Sequence, residues 1–162
     1  MKHLFQLILL LTASLCLAQK SIPQVLEKLN KKTVPYVTSM KLKSMKSYVI
    51  LDSREPEEYA VSHIKNAMFV GYNKFDSDQF VANVPDKAAT IVVYCSLGVR
   101  SENIGEKLQK LGYKNVLNLY GGIFEWKDSG GKVYNSKNNV TDSIHTFNKR
   151  WGSYLKRGIK VY

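Results

Sequence analysis

Acidic residues are scarce in this chain. Thirteen aspartates and glutamates face 24 lysines and arginines, a formal charge of +11. Such a surplus favours anionic partners or surfaces. The lysines are scattered and no nucleic-acid-binding motif accompanies them, so a solvated basic surface is expected, with no nucleic-acid partner. Cysteine is scarcer still, Cys16 and Cys95 being the only two. None of the 3 histidines has a second His or Cys at ligand spacing, so no metal site is expected. His63 reads as a structural hydrogen-bonding residue. There is no internal repeat. A length of 162 residues suits one main domain.

The one long apolar run, Leu4 to Leu17, is short for a membrane span. Lys2 and His3 make a basic start before it, and Cys16-Leu17-Ala18 puts small residues at −3 and −1 of a cut before Gln19. This is the pattern of a secretory signal peptide over residues 1–18, cleaved near Ala18/Gln19. A periplasmic or secreted protein without stable membrane insertion is therefore expected. The rival readings are a short membrane anchor and a lipoprotein acylated on Cys16, against which bulky Leu15 counts. Cleavage leaves Cys95 alone. An unpaired thiol in an exported protein points to reactivity or to intermolecular pairing. The bland reading is an inert buried cysteine.

The position of Cys95 argues against inertness. Ile91-Val92-Val93-Tyr94 reads as a buried strand running straight into Cys95. Ser96-Leu97-Gly98-Val99-Arg100 forms a short loop, and Ser101 is placed to cap a helix to Leu111. A thiol at such a junction faces backbone N–H groups and a positive helix end, and both favour thiolate.

Strands and helices alternate along the rest of the chain. Ile22 to Lys32 is expected as an amphipathic helix and Tyr36-Val37 as a strand. A small helix through Met45 uses Met40, Leu42 and Met45 as apolar contacts. Tyr48 to Leu51 is a strand ending at Asp52-Ser53-Arg54. Helices over Glu55–Val61 and Phe75–Asn83, strands over Ala67–Val70 and Val116–Leu119, and a helix opening at Phe124 complete the pattern. Alternation with short links predicts an α/β domain with a mostly parallel sheet and helices on both faces, its ligand site at the carboxyl ends of the strands. Beyond Gly130 the chain is rich in lysine, asparagine and aromatics. There Ile144 to Leu155 is expected as a helix. It either packs its aromatic face on the domain or docks an anionic partner or surface.

These residues carry a family resemblance. Asp52-Ser53-Arg54-Glu55, Ser62-His63-Ile64-Lys65-Asn66-Ala67, the loop Cys95 to Ser101, and Gly112-Tyr113 with Gly121-Gly122 and Trp126 resemble a single-domain rhodanese. The resemblance divides the chain into 19–35 (helix and linker), 36–130 (rhodanese-like domain, with a five-stranded sheet) and 131–162 (basic aromatic extension). It implies a sulfurtransferase that needs no metal or organic cofactor. Cys95 would take a sulfane sulfur from a small donor (thiosulfate, polysulfide or persulfide) as a persulfide and pass it to cyanide or a thiol. Ser96, Leu97, Gly98, Val99, Arg100 and Ser101 would form the persulfide-binding loop. Asp52 and Arg54 would support it, Arg54 by pairing with Glu58 or Asp52 by touching the loop. Arg100 would bind an anionic donor or brace the loop against a carboxylate. Four residues separate Cys95 from Arg100, where phosphatases of the related fold use five, and the tighter loop suits a sulfur atom. Ser96 and Leu97 stand where some family members are cationic, which weakens the case for thiosulfate. A non-catalytic rhodanese-like module and a thiol or persulfide relay to a protein partner, through the basic tail, are the alternatives.

Overall fold

A computed structural model describes residues 21–162. The expected signal peptide and Cys16 lie outside these residues. The first described element is α1 (Ile22–Leu29), opened by a Ser21–Gln24 capping box and buried along Ile22, Val25 and Leu26. Then come β1 (Tyr36–Val37), α2 (Ser39–Ser44), β2 (Val49–Asp52), α3 (Pro56–Val61), β3 (His63–Ile64), β4 (Met68–Phe69) and α4 (Ser77–Asn83). The domain closes with β5 (Thr90–Tyr94), α5 (Arg100–Lys110), β6 (Asn115–Leu119) and α6 (Gly122–Asp128).

Five strands form one sheet in the order β1-β6-β5-β2-β4. Every pairing in it is parallel, so the sheet is wholly rather than mostly parallel. Central β5 shows why its sequence is apolar throughout. Ile91 and Val93 pack on one face with Phe80, Ile104 and Leu108, from α4 and α5. Val92 and Tyr94 pack on the other with Leu26, Leu42, Ile123 and Phe124, from α1, α2 and α6. A strand covered on both faces has no polar side to alternate with.

The tail departs from expectation. The segment Ile144–Leu155 is not one helix but β9 (Ser143–His145) followed by the four-residue α7 (Lys149–Gly152). Phe147 breaks it by taking φ 66, and β9 pairs in parallel with β10 (Ile159–Val161). Aromatic spacing alone could not distinguish a helix from this strand–turn–helix. The tail also supplies β7 (Val133–Tyr134), paired antiparallel with β3 and with β8 (Val140–Thr141), and it buries Ile144 and Leu155 in the main core. Met40 was expected to pack; it is 83% exposed, because α2 turns only Ser39 and Leu42 inward. No helix among the described residues is long and apolar enough to cross a membrane.

Candidate active site

Cys95 leaves the carboxyl end of β5, in the middle of the sheet, and is buried. The loop carbonyls turn away from the sulfur. Cys95 O accepts from Ile123 N–H at 2.9 Å and Ser96 O from Phe124 N–H at 3.2 Å. The first turn of α6 thus spends its unpaired donors on the loop. In a trans peptide the next N–H points opposite to the carbonyl, so Ser96 and Leu97 present theirs away from α6.

Gly98 completes the cradle. Its φ of 108 is open to glycine at low cost. Its carbonyl accepts from Asn30 Nδ2 and Asn118 Nδ2, both at 2.8 Å, and its N–H donates to Cys95 Sγ at 3.1 Å. Asn30 reaches the loop because Glu102 of α5 holds the linker, accepting from Lys31 N–H and Thr33 N–H. Ser101 is not the helix cap. Val99 takes the cap position with helical dihedrals, so α5 begins at Arg100, two residues earlier than a Ser101 cap would place it. The Ser101 hydroxyl instead lies 3.6 Å from Cys95 Sγ and 2.7 Å from Asn118 Oδ1, with one proton to share between them.

Arg100 braces the loop. Its guanidinium meets Glu58 in a two-pronged pair, Nη1 to Oε2 and Nη2 to Oε1, both at 2.8 Å. Glu58 Oε1 also accepts from Ser96 Oγ at 2.9 Å, and Oε2 from Glu55 N–H at 2.9 Å. Burial pushes the Glu58 carboxyl upward, but the Arg100 hydrogen bonds and charge outweigh it and hold the group below its ordinary range.

The expected Arg54–Glu58 pair does not form. Arg54 instead grips Asp52, with Nε to Oδ1 at 3.0 Å and Nη2 to Oδ2 at 2.7 Å, both residues fully buried. Asp52 touches not the loop but the residue before it, accepting from Tyr94 Oη at 2.6 Å. Tyr94 Oη then takes Ile64 N–H at 3.0 Å. Asp52 and Arg54 therefore tie β2, β5 and β3 together beside the loop. His63 stacks on Tyr59 with centroids 4.1 Å apart, its Nδ1 3.2 Å from Tyr59 O.

Burial alone would raise the Cys95 thiol. The Arg100 charge, then the Ser101 hydroxyl and the Ser101 and Gly98 amides, more than reverse this, and its pKa falls below the ordinary value of 9.0. Alkylation rate against pH should therefore show a midpoint below 9.0, and Arg100→Gln should move it upward. A midpoint at or above the ordinary value would mean that the loop does not stabilise the thiolate. A stabilised thiolate beside inward amides can attack an electrophilic atom and hold a small anionic adduct without a side-chain base.

Over the sulfur opens a pocket of about 200 Å³. Cys95, Ser96, Leu97, Val99 and Arg100 line it from the loop, Leu29 from α1, and Phe147 and Trp151 from the tail. Reading the sequence missed Glu58 as the partner of Arg100, the two asparagines that pin Gly98, and all three pocket residues from outside the loop. Glu58 in the first turn of a helix beginning Glu-Pro was the one signal available.

Parallel strands, a central strand delivering a cysteine into a loop of inward amides, and helices on both faces define an α/β domain built around a cysteine loop. The chain belongs to the rhodanese-like domain family, whose profile matches residues 37–129. The thiosulfate sulfurtransferase GlpE of Coxiella burnetii is 30% identical over 96 residues, 59% of this chain and 87% of that protein. Among solved structures, the rhodanese-like domain of Anabaena Alr3790 is similar at a TM-score of 0.57 and 26% identity, covering 62% of this chain and 79% of that one. A thiosulfate sulfurtransferase from Pseudomonas aeruginosa shares the fold at a TM-score of 0.59 and 21% identity, over 65% of this chain and 21% of that one.

Proposed function

We propose that the protein is a sulfurtransferase that carries a sulfane sulfur on Cys95. One observation supports this most directly: Cys95, which lines an open pocket, has its pKa held down and its Sγ receives Gly98 N–H at 3.1 Å. The thiolate attacks the outer sulfur of a donor (thiosulfate, a polysulfide or a persulfide). The donor's S–S bond breaks, and its electron pair leaves with the remainder. The Cys95 persulfide then yields its outer sulfur to a thiophilic acceptor, cyanide or a thiol, and the thiolate returns. The kinship with a protein named thiosulfate sulfurtransferase agrees with this chemistry. We propose further that the protein acts after export, in the periplasm or outside the cell, on the strength of the leader pattern before Gln19.

Intact mass after incubation with thiosulfate or polysulfide tests the reading. Wild type should gain one sulfur atom, reversed by cyanide, and Cys95→Ser should gain none. If no donor adds sulfur to wild type, the protein is instead a non-catalytic rhodanese-like module.

A further inference from the structure

The pocket over Cys95 is walled by apolar side chains that the family domain does not supply. Leu29 precedes the family match, and Phe147 and Trp151 follow it. Of the residues lining the pocket, only Arg100 is cationic, and both its terminal nitrogens are engaged by Glu58. A dianion such as thiosulfate would meet one cation, already shared between Glu58 and the Cys95 thiolate, and outside the loop amides only apolar walls. An apolar group would instead exchange water for Leu29, Leu97, Val99, Phe147 and Trp151.

Phe147 is held in this position against its backbone preference. A bulky residue at φ 66 is unusual, and the Asn148 N–H to Thr146 O bond at 2.8 Å closes a tight turn around it. The turn is anchored on both sides. Buried Thr146 bonds Val161 O through N–H and hydroxyl, and Asn148 Oδ1 accepts from Trp151 N–H at 3.0 Å. The result is a 57% exposed phenyl ring at the pocket mouth beside half-buried Trp151. Strained residues held by over-determined surroundings cluster at ligand-binding and switch regions.

Resting on the sulfur-transfer reading of Cys95, we propose that the pocket selects a donor whose sulfane sulfur is carried on an apolar organic group, an organic persulfide or thiosulfonate, with Phe147 and Trp151 as the residues that set this specificity. The size fits, since a cavity of roughly 150 Å³ accepts a benzene ring. With an organic persulfide, Cys95 thiolate bonds to the terminal sulfur and the donor S–S bond breaks. The organic thiolate leaves with the electron pair, and the proton stays on the transferred sulfur. With a thiosulfonate the group that leaves is the sulfinate.

Benzenethiosulfonate and thiosulfate are the probes, compared as a ratio of kcat/KM so that intrinsic reactivity cancels between variants. Trp151→Ala and Phe147→Gly should each lower the ratio about tenfold, in line with the loss of one aromatic contact. Phe147→Gly suits its own backbone and so should remain folded. A second readout needs no sulfur transfer: calorimetry should show benzenesulfinate binding to the Cys95→Ser protein and weakening about tenfold with Phe147→Gly added. An unchanged donor ratio in both variants overturns the proposal, as does benzenesulfinate that fails to bind. Benzenesulfinate bound in a Phe147-dependent way, with no donor loading wild-type Cys95, supports the apolar subsite and removes the sulfur-transfer reading instead.

Discussion

Gly122→Ala is expected to cut the sulfur loading of Cys95 proposed above by at least roughly a hundredfold, the scale that a misplacement of about an ångström imposes on a positioned reaction. A Cβ at Gly122 would stand 2.3 Å from Cys95 O and 2.7 Å from both Ser96 C and Ser96 O. These are backbone atoms, so no side chain can swing away. Gly122 also has φ 56, which costs an L-residue about 1–2 kcal/mol. The only relief is to push the loop away from α6. That breaks the bonds from Ile123 and Phe124 N–H that orient the Cys95 and Ser96 carbonyls, and shifts the loop that brings the Gly98 amide to the sulfur. Overpacking adds about 1–3 kcal/mol, so the melting temperature should fall by roughly 10 °C while the protein still folds at room temperature. Wild-type loading rates in Gly122→Ala would show that α6 does not set the loop.

Glu58→Gln is expected to destabilise the fold by about 3 kcal/mol at neutral pH, the lower end of the range for removing one partner of a buried ion pair, because the Arg100 side chain left behind is 22% exposed. Glu58 is 1% exposed, and its two oxygens receive Arg100, Ser96 and the Glu55 amide. A glutamine keeps the shape but turns one acceptor into a donor, aimed at another donor. The pH dependence is specific. Glu58 titrates below its ordinary 4.5 in the fold, so the stability it contributes is complete above about that pH and drains away as pH falls through the folded value. Urea unfolding from neutral pH downward should show this acid-side loss in wild type and a flatter profile in Glu58→Gln. Parallel curves, or a difference under about 0.5 kcal/mol at neutral pH, within the range of an ordinary surface change, would mean that the pair is not structural.

The two substitutions act on the same loop from opposite sides, and neither residue stood out for this role in the linear chain. In the linear chain Gly122 is half of a Gly-Gly step after an apolar strand, a pattern that signals only the end of the strand. That carbonyls of another loop sit against its Cα depends on where α6 lands. Glu58 read as a first-turn carboxylate and as a partner for Arg54. The choice between Arg54 and Arg100 is made by distance across the fold, with Asp52 claiming Arg54 from only two residues away.

Chain order was enough to establish the α/β alternation, the buried β5 and the position of Cys95 at its carboxyl end, because each follows from side-chain periodicity and short-range turn chemistry. Cys95 to Ser101 is one contiguous loop, so its glycine, arginine and serine were legible together. What surrounds the loop was not. Asn30, Glu58, Asn118 and the Phe147–Trp151 stretch come from separate segments, and their meeting around one loop depends on packing that pattern alone does not encode. The tail shows the limit most clearly. Its aromatic spacing read as one helix, and the folded chain made a strand, a tight turn at Phe147 and a four-residue helix, because pairing with β10 and burial of Ile144 in the shared core outweighed local helical preference.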